Sequence, residues 1–312
     1  MSTTDLMEPM GESARVVDDA EARAALRARP SFVQPQTPDV QGAHACPSCA
    51  AAAAETTPVY ALGRVEPRFP RMSVEREFAQ AIGRDAFQGL SDRAALQRVL
   101  LERRNRYLAR QLCFVFVVSG IDTYILVPRD PQDLDALVDA VRPQPNALDI
   151  DAVIGMKGPL APPSLCNGLV VPIVAFDQIY SFDRPALLQA LPRPEGAADA
   201  DFNASADEVL ERVMHMADNA GATSEHRALN YLAMRYPAIY SKTFEMHRDG
   251  YSMTSVEVRR AAVAGTRDIV DVIFGYTQRQ NEFSDKVACK VDVTDRFPFL
   301  VGRMQRYYDK QS

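Results

Sequence analysis

Helix-type and strand-type segments come in clusters here, without strict strand–helix–strand alternation, and that order predicts an α+β fold. Three observations carry the prediction. The runs LCFVFVV (112–118) and DTYILVP (122–128) flank Ser119-Gly120 and read as a β-hairpin. The stretch after Ser91, DRAALQRVLLERRNRYLARQ, places Ala95, Val99, Leu100, Tyr107 and Leu108 at helical spacing. Three β-type runs, Val256–Val263, Ile269–Gln278 and Lys286–Thr294, then follow one another late in the chain.

The remaining elements follow in order. Val59–Leu62 is a short strand, and Ser73 caps a helix running to Ile82. Asp130-Pro131 opens the helix DLDALVDAV, with proline in the first turn and acids at the positive dipole end. Asp149–Ile154 and Leu169–Phe176 are strands, the second so uniformly apolar that it reads as central. Between them GMKGPLAPPSLCNG (155–168) reads as a stiff, irregular loop of three prolines and three glycines. Helices are expected over Ala206–Ala217 and Ser224–Tyr236, with Ser224 as cap and Pro237 as terminator. The terminal RFPFLVGRMQRYYDK is expected to be a helix after Pro298.

The 312 residues carry 35 cationic and 41 acidic side chains, a net charge of −6. Eight acids and four arginines fall in residues 1–55, which thus hold −4 of that charge, with Phe32 as their aromatic residue. Such a segment buries too little apolar surface to offset its ordering entropy and is expected to be mostly disordered. The expected organisation is an acidic tail over 1–57, a first α+β lobe over 58–195 and a second over 196–312, joined near LPRPEGAADADFNAS (191–205). A mildly acidic chain argues against a nucleic-acid partner. No apolar run approaches the ~20 residues of a membrane span, and no signal-type segment opens the chain, so a cytoplasmic location is expected.

In a reducing compartment the five cysteines (46, 49, 113, 166 and 289) are expected as thiols or metal ligands. His44, Cys46 and Cys49 in HACPSC form the clearest chemical motif: two thiolates on one turn can chelate a tetrahedral ion, with zinc the default metal. Two further ligands must come from elsewhere. Cys113 and Cys166 are the expected partners of Cys46 and Cys49, with Cys289 and His44 as alternatives. The competing readings are a pair of uncoupled surface thiols and a redox CxxC, the latter lacking the strand–helix context such a motif needs. Cys166 is also a candidate nucleophile, but no histidine signature points at it. Glu211, His215 and Asp218 share a helix face, a pattern that a solvated surface explains as well. Asp177, Tyr180, Ser181 and Asp183 form a polar cluster after the central strand, where capping is the bland alternative. GxGxxG, GxxxxGK[ST] and GxSxG are absent, so no nucleotide cofactor and no serine-hydrolase chemistry is expected.

Six runs carry a family likeness: 59–81, 105–113, 123–143, 158–184 (GPLAPPSLCNGLVVPIVAFDQIYSFDR), 230–240 and 291–301 (VDVTDRFPFLV). Together they resemble the C-terminal domain of unknown function of PatA and PatG, the subtilisin-like proteases of cyanobactin maturation. No subtilase triad motif accompanies them, so proteolysis and macrocyclisation do not carry over. The resemblance implies an accessory, non-catalytic protein in a pathway for ribosomally made, modified peptides. Its expected partners are a precursor peptide or a subtilisin-like maturation protease, with a homodimer as a further expectation. The alternative is a peptide-modifying enzyme using Cys166 or a metal centre.

Overall fold

The computed structural model describes residues 56–83, 91–146, 149–214, 218–261, 265–281 and 283–308. Two sheets organise them. Strands β1 (Thr57–Arg68), β2 (Cys113–Val118), β3 (Ile121–Pro128), β4 (Asp149–Leu160) and β5 (Pro172–Asp183) close into a barrel in the order β1-β2-β3-β5-β4. All its pairings are antiparallel except β3–β5. Strands β6 (Tyr251–Arg260), β7 (Ile269–Gln278), β8 (Ser284–Asp292) and β9 (Phe299–Arg306) form an antiparallel meander. The α+β class therefore stands.

Alternate residues of the barrel strands point inward and fill it with side chains. Val59, Ala61 and Val65 of β1 share one cluster with Phe114, Phe116, Tyr124, Leu126, Val153, Val174 and Phe176. Four helices pack into the same cluster: α1 (Met72–Ile82), α2 (Asp92–Leu101), the single turn α3 (Arg106–Ala109) and α4 (Leu134–Ala140). Ser91 caps α2 as expected, its Oγ accepting from Ala94 N at 3.2 Å. The long helix read after Ser91 breaks at Glu102 into a 3₁₀ turn and α3. Helix α1 begins at Met72, with Arg71 as its cap position in place of Ser73.

The outward side chains of β1 and β4 are also buried. Tyr60, Leu62, Ile150, Ala152 and Ile154 join the core of α6 (Asp199–Met214), α7 (Ser224–Arg235), α8 (Ala238–Arg248) and the inner face of the meander. A short α5 (Arg184–Ala190) follows β5, capped by Asp183, which accepts from Ala186 N at 2.6 Å. The α6–α7 connection docks on β1 through a reciprocal amide pair. Asn219 Nδ2 donates to Asn230 Oδ1 at 2.8 Å, and Asn230 Nδ2 donates to Tyr60 O at 2.8 Å. Residues on both sides of the expected 195/196 boundary thus share one continuous core.

Several expectations need correction. The terminal segment is strand β9, because Leu300 and Met304 alternate inward against the helices while Phe299 and Val301 face out. Its apolar spacing has period two, and the helix reading missed it. Residues 155–160 of the expected loop extend β4, leaving an irregular loop at 161–171. Thr223, and not Ser224, caps α7. The outer edge of β9 is covered: Leu300 N donates to the Tyr231 hydroxyl at 3.2 Å and Met304 N to that of Tyr236 at 3.1 Å. Tyrosines from the helical layer thereby blunt an edge that could otherwise pair with another chain.

Candidate functional site

The open end of the β1–β2–β3 side holds a cleft of about 580 Å³. Strand register explains it. Arg68 of β1 pairs with Cys113 at the start of β2, and there the two strands part. The last β2–β3 pair is Phe114–Leu126, so Val127 and Pro128 run on with partners on β5 alone. Phe114, Leu126, Leu134 and Leu137 form an apolar lining, and Leu165 and Ser164 of the 161–171 loop add a wall. Met72, Val127 and Leu165, near this opening, expose 65%, 40% and 39% of their surface, more than scattered apolar residues need.

Three arginines line the cleft. Arg129 Nη1 sits 3.0 Å from Asp177 Oδ1, which also takes Arg296 Nη1 at 2.6 Å. Arg71 and Arg110 have no side-chain partner among the described residues. Each lies three residues beyond the Arg68–Cys113 pair, Arg71 leaving β1 and Arg110 arriving at β2, so both belong to the same bank. Sequence reasoning missed them. The available signal was their place at element ends inside two of the runs that carry the family likeness.

Cys113 and Cys166, expected as metal ligands, are bonded to each other as a disulfide. In that state neither sulfur is a thiolate, so neither can ligate zinc nor attack a substrate. The bond fastens the 161–171 loop to the outer face of β2, where both cysteines are buried with Val115, Val117 and Ile125. The loop's own backbone bonds are local: Leu165 N to Pro162 O, Gly168 N to Pro163 O, Leu169 N to Cys166 O. The disulfide is thus its covalent tie to the barrel and sets the cleft wall. At a sequence separation of 53 residues, its loss is expected to lower stability by about 4 kcal/mol on the chain-entropy account. Urea unfolding of Cys113→Ser beside the oxidised wild type measures this; equal midpoints would refute it.

The other sequence candidates scatter. His44, Cys46, Cys49 and His215 lie outside the described residues. Glu211 pairs with Arg184 at 3.2 Å, and Asp218 sits beyond α6 with φ of 60°. His247 approaches Glu208 at 2.7 Å across α6 and α8. His226 is partly buried, which lowers its pKa despite Glu225 and Asp218 nearby. Cys289 is a buried free thiol whose pKa burial pushes up to about 12. It is expected to resist alkylation at pH 8 in the native protein and to react on unfolding, as peptide mapping would show. Among the described residues no group of three or more His, Cys, Asp or Glu is placed to hold a metal ion.

The Asp177–Asp183 cluster divides into structural roles. Asp183 is the cap already noted, and Asp177 holds two arginines. Ser181 hydrogen-bonds Asp151, a fully buried carboxylate of β4. Asp151 Oδ2 accepts from Val65 N at 2.7 Å, and its Oδ1 lies 3.0 Å from Arg142 Nη2. Burial raises the Asp151 pKa, and the Ser181, Val65 and Arg142 contacts offset part of that rise. Arg142 also reaches Asp149 at 3.4 Å and donates to the Phe182 carbonyl at 3.1 Å. This network ties β1, β4 and β5 together away from the cleft.

No helix among the described residues is long and apolar enough to cross a membrane. A search of the curated proteins matches none of them. A solved structure described as "PatG Domain of Unknown Function" aligns with a TM-score of 0.63 and 21% identity, covering 80% of this chain and 98% of that one. The family model described as "PatG C-terminal" matches residues 196–307, which run from before α6 through β9 and exclude the cleft. Residues 196–307 are thus similar to the PatG C-terminal family, and the chain shares the fold of the PatG domain of unknown function.

Proposed function

We propose that this protein is an accessory, non-catalytic component of a cyanobactin-like peptide maturation pathway, and that the barrel-end cleft seats a segment of the precursor peptide. The observation that supports this reading is the cleft itself: about 580 Å³, largely apolar, open to solvent, with a few polar groups placed beside the apolar lining. It is wide enough for a short run of side chains, and along one side Val127 and Pro128 extend past the last β2–β3 pair. The family likeness supports the pathway.

The enzyme alternative loses its Cys166 form while Cys113 and Cys166 are bonded. A structural zinc on Cys46 and Cys49 stays in the proposal with ligands other than that pair. The test is titration of the full chain with the precursor peptide, followed by fluorescence anisotropy, beside Leu165→Glu, which places a charge on the cleft wall. Binding to the wild type that Leu165→Glu removes supports the reading. Precursor binding that Leu165→Glu leaves unchanged overturns the cleft as the seat. Capture of a subtilisin-like protease with no affinity for the peptide moves the function to the protease partner.

A further inference from the structure

We infer that the cleft selects a peptide segment in which an apolar side chain is flanked by side-chain carboxylates; this rests on the peptide-seating reading and adds the chemical class of the segment. The charge layout of the cleft carries the inference. Of the three arginines lining it, Arg129 is paired with Asp177 at 3.0 Å, a carboxylate it shares with Arg296. Arg71 and Arg110 are exposed and unpaired among the described residues, in a chain whose net charge is −6. Both line the cleft on the bank where β1 and β2 part, each three residues beyond the Arg68–Cys113 pair. The lining beside them, Phe114, Leu126, Leu134 and Leu137, is apolar.

Guanidinium groups match carboxylates in planar, two-pronged geometry, and they keep their charge at every physiological pH. Two of them on one bank complement two negative charges. A free C-terminal carboxylate supplies one, so side-chain carboxylates of Asp or Glu are the source that fits. The apolar lining requires a hydrophobic side chain next to those charges. Val127 and Pro128 are paired on the β5 side alone and border the cleft, Pro128 offering a carbonyl acceptor but no N–H to an extended chain beside it.

The experiment uses short fluorescein-labelled peptides with a central Leu flanked by Glu, and the same peptides with Gln for Glu. Each is titrated against the wild type, Arg71→Gln/Arg110→Gln and Leu165→Glu. The Glu peptide is expected to bind the wild type about tenfold more tightly than the Gln peptide. That preference should vanish in the arginine double variant and weaken with added salt. Both arginines are exposed and have no side-chain partner among the described residues, so an unchanged melting temperature is expected for that variant. Equal binding of the two peptides, lost alike in Leu165→Glu, would overturn the carboxylate class and leave the peptide seat standing. A Glu preference that survives in the double variant would overturn the arginine assignment. Absence of any peptide binding, with precursor binding intact in Leu165→Glu, would overturn both.

Discussion

Gly221→Ala is expected to destabilise the protein by roughly 2–5 kcal/mol, the sum of a left-handed backbone cost and an overpacking cost. Gly221 has φ of 72° in the α6–α7 connection. A Cβ there would lie 2.5 Å from the Ala61 Cα and 2.6 Å from the Tyr60 carbonyl carbon, and closer still to the Tyr60 oxygen. All three obstacles are backbone of β1, a strand buried on both faces. They cannot yield as a flexible side chain would. The same contact carries the bond from Tyr60 N to Gly221 O at 2.9 Å, and the Asn219–Asn230 pair sits beside it. Separating them would undo the seam between the barrel and the helical layer. Gly250→Ala is the control, since Gly250 has φ of 86° with open space around it. It should cost only the backbone term, about 1 kcal/mol. Urea midpoints for the two variants make the comparison; equal losses would refute the packing argument.

Arg142→Met is expected to cost about 3–5 kcal/mol, because it leaves Asp151 buried and charged without its partner. Asp151 is fully buried and Asp149 nearly so. The remaining donors to Asp151 are the Val65 amide and the Ser181 hydroxyl. The expected pH dependence follows from the direction of the Asp151 shift. Its folded-state pKa stands above the usual carboxylate value, chiefly through burial. The folded state therefore binds the proton at a pH where the unfolded chain has released it. Stability then falls as pH rises from the unfolded pKa through the folded one. Removing Arg142 raises the folded pKa further and widens that window. The deficit of Arg142→Met should shrink on acidification, and Asp151→Asn added to it should recover much of the loss. A deficit independent of pH would show that Arg142 acts through its carbonyl contacts with Ile150 and Phe182 alone.

The α+β class, the β2–β3 hairpin, the cap of α2 and the strand pattern of β7 were legible in the sequence because each is set by neighbours in the chain. Ser119-Gly120 shows why: both adopt positive φ, 50° and 84°, and form the turn that their residue types favour. Strand β9 was misread because Leu300 and Met304 are four apart, a spacing that suits a helix as well as two steps of a strand. The choice came from the inner face of β8 and the tyrosines of the α7 segment, which lie about 70 residues away.

The chemistry divides the same way. Composition established an acidic chain with five cysteines, and residue order showed none of the GxGxxG, GxxxxGK[ST] and GxSxG motifs. The clustered order of its elements pointed to the α+β class, and six runs carried the resemblance to the PatG domain. Tertiary structure decided that Cys113 and Cys166 are bonded to each other, that Arg142 satisfies two buried carboxylates, and that Arg71 and Arg110 share a bank. These are relations between residues tens of positions apart. Side-chain periodicity reports which face a residue occupies, and only the closing of the barrel reports what that face meets.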